Sequence, residues 1–215
     1  QLEQDVKGFR GFAQQQARIH NVPPDYIAAK FIGRWKNGSV ITPGQFVAPN
    51  VSKPENNFNF SSDPDGFGCP FGSHIRRSNP RAIGLDNDDK LSQAVASRHR
   101  IIRRGRRYGT YVPEDKMPDT SNRGLMFLCL NANIERQFEF IQQTWINNEK
   151  FLGLYDEVDP LIGTTSSNNN FTIPGEPVRR RICGIPQFVT TRGGAYFFLP
   201  SKETLYMLFK IKKQG

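Results

Sequence analysis

Residues 124–145 read G-L-M-F-L-C-L-N-A-N-I-E-R-Q-F-E-F-I-Q-Q-T-W. The first eight, G-L-M-F-L-C-L-N (124–131), are short, apolar and turn-bounded, which predicts a buried strand. The next dozen change period. Ile134, Phe138, Ile141 and Trp145 recur at i, i+4, i+7 and i+11, the apolar stripe of a helix. A strand feeding directly into an amphipathic helix is the unit from which the rest of the fold is read.

Upstream, the chain opens in a helical pattern with Val6, Phe9 and Phe12 on one side. A second helix is expected after V-P-P, because Pro23 and Pro24 suit a first turn and Asp25 favours the N-terminal dipole. Its apolar set is Ile27, Phe31, Ile32 and Trp35. Residues 36–72 carry no period and read as a long irregular loop, which in a compact domain is functional or a linker. Downstream, T-T-S-S-N-N-N (164–170) is a polar break expected to be mobile, near 164–172. Q-F-V-T-T-R-G-G-A-Y-F-F-L-P-S (187–201) predicts a hairpin around Gly-Gly, and Ser201 caps a closing helix. Helices and strands in mixed order, with no internal repeat, predict an α+β fold with antiparallel pairing.

With 215 residues the chain has material for a real core. No run approaches a membrane span. It begins at Gln1 without an apolar signal core, and so reads as a processed chain or a fragment. Three cysteines (Cys69, Cys129, Cys183) are too widely spaced for a zinc site and too few for a disulfide framework. They fit a reducing or an indifferent compartment, which leaves the location open and slightly favours the cytoplasm. The net charge is +9, and R-H-R-I-I-R-R-G-R-R (98–107) holds six of the arginines. A basic nucleic-acid-binding module is one reading of that run. Arg rather than Lys, split by Ile101 and Ile102, favours fixed recognition of carboxylate or phosphate instead.

Among three histidines, His74 lies in F-G-C-P-F-G-S-H-I-R-R-S-N-P-R (67–81), beside Arg76, Arg77 and Arg81. Three roles are open to it: a structural histidine, a general base, or a metal or haem ligand. One imidazole cannot make a zinc site, which needs two or three further ligands. Haem brings four ligands of its own, and its two propionates would occupy neighbouring arginines.

Six stretches occur in order: C-P-F-G-S-H-I-R-R-S-N-P-R (69–81), I-I-R-R-G-R-R-Y-G (101–109), R-G-L-M-F (123–127), Q-F-E-F-I-Q-Q-T-W-I-N-N (137–148), D-P-L-I-G (159–163) and F-V-T-T-R-G-G-A-Y-F-F-L-P-S (188–201). Together they resemble the C-terminal half of the dye-decolourising peroxidase family. The resemblance implies one ferredoxin-like α+β domain, half of a two-domain barrel-type enzyme, with residues 1–66 leading into a core at 67–215. It implies haem b (iron protoporphyrin IX) as cofactor, and hydrogen peroxide with dyes, phenols and other bulky organic reductants as substrates.

Carried over residue by residue, the resemblance makes His74 the proximal iron ligand and Arg103 the distal Arg. Arg81 becomes a propionate partner, with Arg76 beside it as a further cofactor-binding residue. Leu125 and Phe127 are walls of the distal pocket. Asp159 is the carboxylate that orients His74, with Asp156 second. Tyr108 and Trp145 resemble electron-relay positions, though each also has a structural reading as a turn and a helix-stripe residue. Cys69 is a thiolate ligand in principle only.

The family's G-x-x-D-G motif, which supplies a distal Asp, is not found in this chain, and S-D-P-D-G (62–66) begins with Ser62 and sits too near His74 to replace it. The expected partner is therefore an N-terminal half, on a second chain or from a cleaved precursor, and oligomers are compatible with this. A haem-binding or haem-sensing module without turnover is the other reading that this gap leaves open.

Overall fold

Asp5 opens the first helix by accepting a hydrogen bond from the Gly8 amide at 2.7 Å, one of the donors a helix start leaves unmatched. In the computed structural model, which describes residues 1–51, 56, 60–81, 89–113, 116–164 and 169–212, this helix is α1 (Val6–His20). It follows a short strand β1 (Leu2–Gln4) that the helical reading of the opening residues did not include. Then come α2 (Pro24–Ile32), α3 (His74–Ser78), α4 (Asp89–Arg98), β2 (Ile102–Tyr108) and β3 (Gly124–Leu130). Two π-helical segments follow, Glu135–Glu139 and Ile141–Ile146, and after them β4 (Phe171–Ile173), β5 (Arg180–Ile182), β6 (Val189–Thr191) and α5 (Lys202–Lys212).

The main sheet has the order β2-β3-β1-β6, antiparallel throughout, with Arg103 opposite Cys129, Leu2 opposite Leu125 and Leu2 opposite Thr191. Strand–helix–strand, strand–helix–strand in that spatial order is the ferredoxin-like arrangement. β4 and β5 form a separate two-stranded sheet. The resulting fold is α+β, as the sequence indicates.

Three readings need correction. The run 102–108 is a strand, although its alternation is hidden by arginines on both faces. β3 is not buried: Leu125, Phe127 and Cys129 are half-covered, whereas Met126, Leu128 and Leu130 are exposed. The hairpin is absent among the described residues. Val189–Thr191 pairs with β1 rather than with 195–199, and the Gly193 carbonyl accepts from the Gln1 ammonium at 2.7 Å.

The helix after β3 is wound as a π-helix, with the amides of Glu139 and Asn147 reaching back five residues to Ile134 and Gln142. That winding brings Ile146 inward beside Ile141 and Trp145. Trp35 lies past α2, which Gly33 ends at φ 98°, yet it is buried. Residues 165–168 of the polar break lie outside the described residues. Ser201 caps α5 as expected, accepting from the Thr204 amide.

Two apolar cores flank α3. One gathers α1, α2, Trp35, β4, β5 and Phe188; the other gathers Ile141, Trp145, Ile146 and Phe151. The 36–72 loop forms no helix or strand among its described residues, but it is fastened. Asp63 accepts from the amides of Gly68 and Cys69, and Lys30, 1% exposed, donates to the carbonyls of Phe67 and Gly68 at 2.6 Å each. Burial drives the Lys30 pKa down to about 8, with Asp63 opposing.

Lys30→Met is therefore expected to cost about 2–4 kcal/mol, since two buried carbonyls lose their donor. Between pH about 8 and about 10.4 the unfolded chain holds a proton on Lys30 that the folded chain has released. This residue's contribution to stability thus rises with pH across that window. Urea denaturation of wild type and Lys30→Met at both ends of the window should show the stability difference between them grow with pH, because Cys69, whose thiol burial pushes up to about 11, acts alike in both.

Candidate functional site

His74 is the first residue of α3, and its position is set from behind. Ser73, fully buried, donates its hydroxyl to the Lys30 carbonyl at 2.6 Å, tying the start of α3 to α2. Arg77, also fully buried, donates to the carbonyls of Trp145, Asn148 and Glu157 and lies over the Phe151 ring. Burial holds its pKa down to about 10. These bonds rivet α3 to the second π-helical segment.

Arg76 faces the other way. Its guanidinium meets Asp63 and the Cys69 carbonyl, and sits between the rings of Phe60 and Phe71 at 4.5 Å from each. All of this is loop-fastening, so the geometry gives Arg76 a structural task and not the cofactor contact expected of it. Cys69 is buried, and desolvation pushes its thiol up to about 11, the opposite of what a thiolate ligand requires.

The imidazole of His74 donates from Nδ1 to Asp159 Oδ2 at 2.8 Å. The Asp159 side chain is wholly buried, while His74 keeps 29% of its side chain accessible. The other carboxylate oxygen, Oδ1, accepts from the amides of Leu161 and Ile162 at 2.9 Å each. The D-P-L-I-G turn thus wraps the carboxylate and aims one oxygen at the ring. Burial works to raise the Asp159 pKa, but the His74 charge and these hydrogen bonds outweigh it and hold the carboxyl below its usual range. Burial works to lower the His74 pKa, Asp159 raises it, and the net displacement is upward even though the Arg103 charge opposes it.

With Nδ1–H committed to a carboxylate, the lone pair lies on Nε2, the nitrogen that a metal would take. Asp156 instead pairs with Arg181 and Asn170, so of the two carboxylates Asp159 meets the ring.

The Arg103 charge reaches His74 from one face of the β2–β3 ladder. Directly paired residues share a face, which puts Arg103 and Cys129, Gly105 and Phe127, and Arg107 and Leu125 together. Leu125 lies over Gly105, where an added Cβ would come within 2.9 Å of it. Arg103 is exposed, and its charge is felt by His74. Hence Arg103, Leu125 and Phe127 share one face, whose cation acts on the imidazole.

Arg81 is half-buried at φ 59° and donates to Asn56. Desolvation and then the charges of Arg100 and Arg34 lower its pKa. Such a cationic group gains by meeting carboxylates. Arg34 and Arg100 were not singled out in the sequence, because only the fold brings them to Arg81.

The relay candidates are less open than expected. Trp145 is 4% exposed, enclosed edge-to-face by Phe140 and His99. Tyr108 is half-buried, and its hydroxyl approaches the Leu2 carbonyl at 3.4 Å.

This donor set fits haem: one imidazole with a free Nε2, an apolar wall carrying a cation, and arginines suited to carboxylates. Among the described residues no three His, Cys, Asp or Glu side chains gather to hold a bare metal ion, and no helix is long and apolar enough to cross a membrane.

No protein-family model matches the chain. Curated relatives do. Dye-decolorizing peroxidase msp1 of Mycetinis scorodonius is 32% identical over 98% of this chain and 45% of its own length. Multifunctional dye peroxidase DyP2 of an Amycolatopsis species is 32% identical over 96% of this chain and 47% of its own. Among solved structures, the DyP-type peroxidase of Anabaena superposes with a TM-score of 0.78 at 33% identity, over 90% of this chain and 41% of that one. The chain spans less than half the length of these proteins.

Proposed function

The chain belongs to the dye-decolourising peroxidase family, and from that premise we propose that it is the haem-ligating half of a peroxidase acting on bulky organic donors such as dyes and phenols. The observation that carries the reading is the buried Asp159 bonded to Nδ1 of a partly accessible His74. In this reading His74 Nε2 holds the iron of haem b. Arg81, with Arg100 and Arg34 near it, meets the propionates, while Leu125 and Phe127 keep water from the reacting face. When bound, the haem supplies the redox chemistry that splits peroxide and stores its oxidising equivalents.

The protein's own work is electrostatic. Asp159 fixes the ring and strengthens its donation. Arg103 stabilises negative charge on the departing peroxide oxygen, a task that needs a fixed donor in a water-poor place. A guanidinium donates hydrogen bonds and offers no acceptor, so the proton carrier comes from elsewhere. The N-terminal half, with its distal Asp, is the natural source.

The far face of the β2–β3 ladder supports the need for that half. Ile102 (73% exposed), Met126, Leu128 and Leu130 are uncovered apolar side chains on that face, and Tyr206, Met207, Leu208 and Phe209 of α5 are exposed as well. Surfaces of this kind mark an interface.

The test is to combine the chain with its N-terminal half and haem b, then add peroxide and a phenolic dye. Peroxide-dependent bleaching is expected. Haem binding without bleaching points to a sensing module, and failure to bind haem removes the reading.

A further inference from the structure

A cavity of about 590 Å³ lies where three segments meet: 65–71 of the long loop, 152–157, and 172–181. Neither His74 nor Asp159 lines it. Its walls are apolar and aromatic, with Phe67, Phe71, Leu152, Tyr155 and Pro174. They are held in place. The Arg76 guanidinium lies 4.5 Å from the centre of the Phe71 ring, and Leu152 and Gly153 turn the chain at φ 48° and 84°, a left-handed backbone that a leucine seldom adopts. The volume suits a small ligand.

The polar groups around the cavity divide into two sets. Glu157, 2% exposed, accepts from the Thr172 amide at 3.0 Å and from its hydroxyl, with Arg181 at 3.9 Å. Arg181 also pairs with Asp156, which accepts from Asn170 as well. These groups answer one another. Asp65 and Arg179, both exposed, do not: among the described residues no hydrogen bond or ion pair reaches either side chain. Asp65 comes from the long loop and Arg179 from the approach to β5, so the cavity carries one free charge of each sign on separate segments. An anion that met Arg179 would also face Asp65, and a cation that met Asp65 would face Arg179. A molecule with both charges answers both.

We propose that this cavity binds an aromatic zwitterion, with Asp65 taking its ammonium, Arg179 its carboxylate, and the ring lying against Phe67, Phe71 and Tyr155. A free aromatic amino acid is the simplest member of the class. A guanidinium matches a carboxylate through two parallel hydrogen bonds, and an aromatic ring gains both area and ring–ring contact in such walls. The inference stands apart from the peroxidase reading, since no haem contact enters it.

The experiment uses the chain assembled with its N-terminal half, with and without haem b, and isothermal titration calorimetry. Three probes share one ring: L-phenylalanine, 3-phenylpropanoate, which lacks the ammonium, and 2-phenylethylamine, which lacks the carboxylate. L-Phenylalanine is expected to bind with or without haem, and each analogue about tenfold or more weakly, as loss of one charge-assisted contact requires. Asp65→Asn should weaken L-phenylalanine about tenfold without weakening 3-phenylpropanoate. Arg179→Gln should weaken it about tenfold without weakening 2-phenylethylamine. Both substituted residues are exposed, so circular dichroism should not change. No binding of L-phenylalanine, equal affinity for the three probes, or binding untouched by either substitution overturns the inference. Binding seen only when haem is present places the ligand at the haem and overturns it too. A protein that takes up L-phenylalanine but no haem leaves this inference standing and removes the peroxidase reading alone.

Discussion

His74→Ala is expected to lower haem affinity by about 100-fold or more, since even loss of a residue behind a ligand costs about 10–100-fold. The Soret band of the reconstituted protein should disappear at haem concentrations that saturate wild type. The fold should survive, because His74 is only partly buried and α3 is held by Ser73, Arg76 and Arg77 rather than by the imidazole. Far-ultraviolet circular dichroism therefore separates loss of the ligand from loss of the chain. Added imidazole, which can occupy the space the ring leaves, should restore part of the band. A variant that keeps its full Soret band without imidazole contradicts the ligand assignment.

Arg103→Leu is the second large effect. A donor aimed at developing oxyanion charge is worth about 10²–10³ in rate, and the reaction of the haem-loaded protein with peroxide should slow by that order. Haem binding itself should persist, because Arg103 bonds to no element of the His74–Asp159 pair and acts on it only through its charge. Arg103→Lys should recover part of the rate, since the charge remains while the planar fork does not. Stopped-flow mixing with peroxide reads all three proteins. An Arg103→Leu protein that reacts at the wild-type rate would give the role to another group.

The pairing of Asp159 with His74, which the structure shows, was legible only through the six ordered stretches and the family they resemble, since the residues alone left three roles open to His74. What was not legible was decided by distant pairing. The I-R-R-G-R-R-Y strand has no polar–apolar alternation of its own, and only its seven-residue register with β3 makes it a strand. Val189–Thr191 looked like half of a hairpin, but three residues at the other end of the chain, Leu2–Gln4, compete for its edge and win.

The π-winding after β3 leaves a 3.6-residue apolar pattern nearly intact, so the pattern did not reveal that Ile146 turns inward. Arg76 was misread for a related reason. An arginine beside a candidate ligand reads as a cofactor contact, until the fold supplies Asp63, the Cys69 carbonyl and two aromatic rings to hold it.

The measurement closest to the root of the account is the iron–nitrogen stretch of the ferrous haem-loaded protein by resonance Raman spectroscopy, taken on wild type and on Asp159→Asn. A histidine whose Nδ1–H is held by a buried carboxylate donates strongly to iron. The expected result is an iron–imidazole band that moves to lower frequency when the carboxylate becomes an amide. A spectrum without such a band, or one whose band stays in place after the substitution, would contradict the arrangement of His74 and Asp159 on which the rest stands.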